Sequence, residues 1–299
     1  MSLVTAAPPL TRRARVGAYV ALTKPRIIEL LLVTTLPTMV VAERGVPSGW
    51  LVLATLLGGA LAAGGANAVN MYVDRDIDRL MERTRHRPLV TGAVTAPAAL
   101  VFAVALEVVA FVELWVFVNL LSAVLAVSAT LFYVFVYSLW LKRTSTQNIV
   151  IGGAAGAVPV LIGWAAVRDS LGLAPLVLFA IIFVWTPPHF WALAIRYRDD
   201  YQRAHVPMMP TVVGFTRTAR QIVVYTALLW ATSLVFYPVA RMGDLYLVAA
   251  IALGGVFFWQ AVQLLRHRTP ERAMRLFGYS ISYLTLLFAA MAVDQLLRT

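Results

Sequence analysis

The sequence predicts an all-α, polytopic membrane protein: nine transmembrane helices in one bundle, arranged as two four-helix halves plus one. Three observations carry this. The chain is 61% hydrophobic and only 13% charged, where soluble domains hold about a quarter charged residues. Its mean hydropathy is +0.79, so a chain of this size has too few polar groups to cover its surface in water. The apolar residues also come in repeated runs of about 20, the length that crosses a bilayer.

The predicted spans are 27–42, 50–73, 96–115, 118–141, 148–167, 173–195, 222–240, 245–265 and 277–297. The third and fourth are nearly continuous, with Glu113 and Asn119 marking the break between them. Charge tests the count. With the N-terminus inside and the C-terminus outside, 21 of the 25 Lys and Arg fall on the cytoplasmic side, leaving only Arg44, Arg168, Arg241 and Arg298 outside. Cytoplasmic loops of membrane proteins are enriched in Lys and Arg in this way. Residues 1–26 read as a cytoplasmic tail, since the first 15 lack the apolar core of a signal peptide, and residues 27–299 as a single transmembrane domain. The net charge of +11 is explained by topology and gives no reason to expect nucleic acid as a partner; the expected surroundings are a lipid bilayer, a prokaryotic inner membrane. With no cysteine, disulfide and thiol chemistry are excluded.

The same topology puts every conspicuous polar cluster on the cytoplasmic face, in the loops after spans 2, 4, 6 and 8. The acid-bearing loops follow spans 2 and 6, four helices apart, and this is the basis of the two-halves reading. The first cluster holds Asn70, Asp74 and Asp78. On an α-helix each four-residue step advances about 400°, so the three form one slowly drifting row about 12 Å long. A row of oxygen donors at a membrane helix end is costly unless paired or metal-bound, and it suits a hard divalent cation. Asp76 lies about 200° from Asp74, on the opposite face, and with Glu82 is adequately explained as balancing the loop's arginines. Arg83, Arg85 and Arg87 follow at once, and Arg83 and Arg87 are candidates to grip an anion brought by the cation.

The second cluster offers Asp200, with Arg196 and Arg203 on either side; adjacent Asp199 points about 100° away. In the third, Lys142 and Arg143 close span 4 and Asn148 opens span 5. A topogenic pair explains the two cations, but their shared membrane face also lets them bind a diphosphate. Gly152, Gly153 and Gly156 behind them serve close helix packing more readily than phosphate binding. The fourth cluster, Trp185-Thr-Pro-Pro-His189-Phe-Trp191, places a histidine within an apolar span after a Pro-Pro break. The plain reading is a hydrogen-bonded core histidine; the functional one is contact with a prenyl chain or with a flat acceptor, with Trp185 and Trp191 alongside. Lys24 and Arg26 before span 1 are further candidates for the anion. Together the residue types suggest a substrate with a diphosphate head and a hydrocarbon tail, Mg²⁺-assisted departure of diphosphate, and a water-excluded interior that protects the resulting allylic cation.

These stretches resemble the UbiA superfamily of intramembrane prenyltransferases, and within it the haem-farnesylating branch. The resemblance rests on LTKPRI (22–27), NMYVDRDIDRLMERTRHRPLVTG (70–92), LKRTSTQNIVIGGAAGA (141–157), WTPPHFWALAI (185–195) and DYQRAHVPMMPTVVG (200–214); the last third carries no recognised motif. It implies transfer of farnesyl from farnesyl diphosphate to a vinyl group of haem B, giving haem O, with Mg²⁺ bridging the acidic motifs and the diphosphate. On that likeness Asn70, Asp74, Asp78 and Asp200 are the metal-site residues and, with Lys142, the catalytic set. Arg83, Arg87, Lys142 and Arg143 hold the diphosphate, with Lys24, Arg26, Asn148 and Arg196 in reserve, and His189, Trp185 and Trp191 meet haem or prenyl. His86 and His205 are rivals for the haem. A haem A synthase is the partner that pathway logic adds. One departure stands out: many superfamily members have two acids four apart in the second motif, whereas Arg196 and Ala204 flank Asp200 here, which leaves the number of Mg²⁺ ions open.

Two other readings compete. A superfamily enzyme acting on an aromatic or quinone-precursor acceptor is disfavoured by the stretches around Asn148 and His189. A transporter needs ionisable groups near mid-bilayer on several spans, whereas Glu107 is the main intramembrane exception here.

Overall fold

The structure is a computed structural model and describes residues 11–298, apart from the side chains of Ile27, Leu30, Leu31 and Leu32. The first ten residues of the expected cytoplasmic tail therefore lie outside the described residues. The described chain is helical throughout, in the order α1 (Arg12–Thr23), α2 (Pro25–Glu43), α3 (Gly49–Val73), α4 (Arg75–Leu80), α5 (Pro88–Thr91), α6 (Ala96–Phe117) and α7 (Leu120–Leu131). A π-helical segment (Phe132–Leu141) joins α7 to α8 (Lys142–Thr144). Then come α9 (Asn148–Arg168), α10 (Leu173–Arg196), α11 (Arg198–Arg203), α12 (Met209–Val212), α13 (Gly214–Ala240), α14 (Asp244–His267) and α15 (Pro270–Leu296). Among the described residues, eight helices are long and apolar enough to cross a membrane: α3, α6, the α7-to-α8 rod, α9, α10, α13, α14 and α15. α2, 19 residues long, covers the first expected span.

The boundaries differ from the hydropathy reading where a helix outlasts its apolar run. α13 begins at Gly214 and α15 at Pro270, against the expected 222 and 277. The added turns are polar, and what starts them is local chemistry that hydropathy ignores: Gly214 has φ +78, a left-handed conformation open to glycine, and Thr269 accepts from the Arg272 N–H as an N-cap. Of the two residues expected to break spans 3 and 4, only Asn119 does so. Its Oδ1 caps α7 through the Ser122 N–H at 2.8 Å, and its amide donates to the Ala165 carbonyl at 2.7 Å. Glu113 lies inside α6. The expected Pro-Pro break in α10 does not form either, since Pro187 and Pro188 sit within an uninterrupted helix. Neighbouring helices make such prolines tolerable in a membrane helix, and here α9, α13 and α15 all pack on α10.

The helices close into a ring. α3 packs on α6, α6 on α7, α7 on α9, α9 on α10, α10 on α13, α13 on α14 and α14 on α15, and α2 completes it against α3, α9 and α15. Small residues set the tightest contacts, as expected where lipid removes the hydrophobic drive between helices. A Cβ on Gly163 of α9 would stand 2.9 Å from the Thr35 carbonyl of α2, so this seam admits only glycine without a backbone shift. The C-terminal ends of α3, α8 and α10 and the N-terminal ends of α9 and α13 meet at one end of the bundle, where the short helices α4, α5, α11 and α12 gather. The first three polar clusters singled out in the sequence are at that end, while the fourth, around His189, lies within α10.

Candidate active site

The first cluster is assembled as a buried chain of oxygens, each faced by a cation from elsewhere. Asn70 lies in the last turn of α3, Asp74 is the residue between α3 and α4, and Asp78 lies on α4. The row expected on one helix therefore crosses a junction. It survives because the i to i−4 bonds continue, from the Asp74 N–H to Asn70 at 2.9 Å and from the Asp78 N–H to Asp74 at 2.8 Å. Asp74 is 0% exposed and Asp78 2%. Asp76, on the other side, has a side chain 62% exposed.

Two of the partners come from distant segments, and the third, Arg87, lies nine residues from Asp78. Lys24, between α1 and α2, donates from Nζ to Asn70 Oδ1 at 2.7 Å. Lys142 Nζ is paired with Asp74 Oδ2. Arg87 Nη1 donates to both oxygens of Asp78, at 2.8 and 2.7 Å. Burial and then the neighbouring Arg87 and Lys142 cations bring the Lys24 ammonium down to about 7. The Asn70 amide donates to Asp74 Oδ2 at 2.8 Å and to Ser138 Oγ at 3.0 Å. With its nitrogen thus engaged, its oxygen is the atom turned to Lys24.

Ser138 is a site residue that the sequence reading missed. It lies in the π-helical segment, where its hydroxyl donates to the Tyr133 carbonyl five residues back at 2.9 Å. A lone hydroxyl in the run FYVFVYSLWL, four residues before Lys142, was the available signal. Tyr133 and Tyr137 stack with ring centroids 5.3 Å apart. Gly152 makes room for this, since a Cβ there would be 2.3 Å from the Tyr137 ring. Gly153 likewise faces Thr186, while a Cβ on Gly156 would meet nothing within 4 Å. The first two glycines serve packing, as expected.

The second cluster is built differently. Asp200, on α11, is largely buried and pairs with Arg203 of the same helix, whose side chain is 59% exposed. Its other oxygen accepts from the Arg83 backbone N–H at 3.4 Å, and this contact joins the two loops. The Arg83 guanidinium itself is exposed and lies 5.7 Å from the centre of the Tyr197 ring. Arg143 is taken up by Asp76, with two hydrogen bonds of 2.8 Å, and by the Val73 carbonyl at 3.0 Å. Those bonds hold the Asp76 carboxyl down to about 2. Asn148 is buried at the start of α9 and donates to the Ser145 carbonyl at 2.7 Å. Arg26 and Arg196 are exposed at helix ends. A cavity of about 270 Å³ lined by Asp76, Ile77, Leu80, Arg143 and His205, among others, opens beside α4.

His189, Trp185 and Trp191 are used in helix packing. His189 Nδ1 is 2.7 Å from Ser280 Oγ, and its ring stacks between Trp185 at 4.2 Å and Phe277 at 4.5 Å. Trp185 donates to the Ser280 carbonyl at 2.8 Å. Trp191 is fully buried and meets Tyr225 edge-on at 5.3 Å. The plain reading of a hydrogen-bonded core histidine describes these contacts.

A metal fits the first cluster. Asp74 Oδ1 is buried without a hydrogen-bond partner, and the donors around it are all oxygens, as a hard cation requires. Among the described residues, no three of His, Asp and Glu converge into a closed cage. Mg²⁺ is commonly held in this way, by one or two carboxylates plus the phosphates of a substrate.

An all-helical bundle with a carboxylate row and buried cations gathered at one end is the architecture of an intramembrane enzyme, and the comparisons name its class. The sequence matches the UbiA prenyltransferase family over residues 31–289, and the chain belongs to that family. It is 55% identical over 284 residues to the protoheme IX farnesyltransferase of Clavibacter michiganensis, covering 94% of this chain and 92% of the relative. With the protoheme IX farnesyltransferase of Streptomyces avermitilis it shares 53% over 291 residues, 95% of each chain. The fold matches a digeranylgeranylglyceryl phosphate synthase with a TM-score of 0.77 at 17% identity, over 94% of this chain and 98% of that one. It also matches a UbiA homologue from Archaeoglobus fulgidus bound to DMAPP and Mg²⁺, with a TM-score of 0.66 at 16% identity over 92% and 99%.

Proposed function

We propose that this enzyme transfers the farnesyl group of farnesyl diphosphate to a vinyl group of haem B, giving haem O. The observation that carries the reading is identity above one half, over nearly the whole chain, to protoheme IX farnesyltransferases. The geometry supplies the chemistry. Asn70, Asp74, Asp78 and Asp200 would hold Mg²⁺, which would supply positive charge against the departing diphosphate. Lys24, Lys142 and Arg87 each stand at one member of the row, so a diphosphate there meets three cations already held in place. Arg83 reaches it from the loop that joins the two clusters. Arg143 and Asn148 lie outside this ring and support it: Arg143 ties α8 to α4, and Asn148 fixes the start of α9; Arg26 and Arg196 stand exposed at helix ends as further cations for the diphosphate.

The bond between farnesyl C1 and the diphosphate oxygen breaks, and the electron pair leaves with the oxygen. The terminal vinyl carbon then bonds to C1, and water adds to the inner carbon with loss of a proton, forming the hydroxyethylfarnesyl chain. The buried, aromatic surroundings made by Tyr133 and Tyr137 exclude water from the allylic cation until the acceptor arrives. The proposed arrangement in the membrane is nine spans, α2 included, with the N-terminus inside, the C-terminus outside and the site at the cytoplasmic surface. A haem A synthase is the partner that takes the product.

The test is to incubate purified protein with Mg²⁺, farnesyl diphosphate and haem B and to look for haem O by mass spectrometry. Product from haem supports the proposal; product from 4-hydroxybenzoate, with none from haem, overturns it.

A further inference from the structure

Polar chemistry gathers at one other place, a cavity of about 410 Å³ between α14 and α15, lined by Trp259, Gln260, Gln263, Arg272, Arg275 and Tyr279. None of these residues belongs to the motif-bearing clusters. Arg272, Arg275 and Tyr279 are spaced i, i+3, i+7 on one face of α15, and Trp259, Gln260 and Gln263 face them from α14. Neither guanidinium forms an ion pair among the described residues; the exposed Glu271 lies within electrostatic reach of both Arg196 and Arg275. Gln260 Oε1 is buried with no hydrogen-bond partner.

The wall is graded along the membrane normal. At the helix ends, next to the α14–α15 turn, stand the two arginines and Gln263. One turn deeper are Gln260, Tyr279 and Trp259, the last 58% exposed. Deeper still, the same faces show exposed aliphatics, Val256 on α14 and Leu286 on α15. Topology alone asks for cationic residues in this turn, and Arg266 and Arg268 supply that without lining the cavity. It does not ask for two arginines converging with an orphaned amide oxygen and an aromatic belt.

We propose that this cleft binds the headgroup of an anionic phospholipid that carries a free hydroxyl, of the phosphatidylglycerol type. Arg272 and Arg275 take the phosphate oxygens, a headgroup hydroxyl donates to Gln260 Oε1, and Trp259 and Tyr279 hold the glycerol at the interface. Basic clefts between helices on the cytoplasmic side are suited to such headgroups.

The test is native mass spectrometry of the full-length protein exposed to equal amounts of phosphatidylglycerol and phosphatidylcholine with the same acyl chains. Wild-type protein is expected to retain phosphatidylglycerol at least about fivefold over phosphatidylcholine. The Arg272→Gln/Arg275→Gln variant loses that preference, and Arg266→Gln/Arg268→Gln keeps it. Equal retention of the two lipids by wild-type protein overturns the proposal. So does an unchanged preference in the first variant, or an equal loss in the second, which would assign the effect to general basicity of the turn.

Discussion

The two acidic clusters occupy the same end of the bundle and are built on opposite plans. In the first, a buried row meets cations brought from 46 and 68 residues away, Lys24 at Asn70 and Lys142 at Asp74. In the second, a single aspartate pairs with an exposed arginine three residues along its own helix. Charges brought together across the fold out of water interact strongly and are costly to leave unpaired, whereas a partly exposed local pair is screened and contributes little. The first cluster is thus preorganised by the fold, and the second is a local pair tied to it through the Arg83 backbone.

That contrast can be broken by substitution. Asp74→Asn leaves Lys142 without its buried anion and removes the unpartnered Oδ1. Haem O formation is expected to fall by more than about a hundredfold while the protein still elutes as a folded species in detergent. Near-wild-type turnover would remove the first cluster from the chemistry. Lys142→Met is expected next, with a loss of about tenfold to a hundredfold and a raised KM for farnesyl diphosphate, measured in steady-state assays. Ser138→Ala frees the Asn70 amide to rotate. It should raise the Mg²⁺ concentration needed for half-maximal rate by about tenfold, with Ser138→Thr partly restoring it. The smallest effect belongs to Asp76→Asn, an exposed ion pair of less than about 1 kcal/mol, where the rate should stay within about twofold of wild type.

Much of this contrast was legible in the sequence, and the reasons are physical. A four-residue period fixes which side chains share a face, so Asn70, Asp74 and Asp78 could be separated from Asp76 before any coordinates; exposure divides them in the same way. Apolar length fixes membrane spans, and eight of the nine expected recur as helices long and apolar enough to cross. What periodicity cannot see is a change of period. The π-helical segment shifts the register between Tyr133 and Lys142, and it is this shift that puts Ser138 against Asn70. Nor does sequence show what a cation pairs with. Lys142 and Arg143 are neighbours in the chain, yet one faces the buried Asp74 and the other the exposed Asp76. His189 shows the complementary limit. A histidine in an apolar span invites a functional role, and the side chains it packs on, Ser280 and Phe277, are about 90 residues away on α15, where no local motif reveals them.

The central claim is that the buried first row, with Asp200 and the diphosphate completing it, is the metal site. Binding of Mn²⁺ by electron paramagnetic resonance, with and without a non-hydrolysable farnesyl thiodiphosphate, tests it without relying on turnover. Wild-type protein is expected to bind Mn²⁺ tightly only with the analogue present, Asp74→Asn to lose that binding, and Asp76→Asn to keep it. Tight analogue-dependent binding by Asp74→Asn would contradict the account.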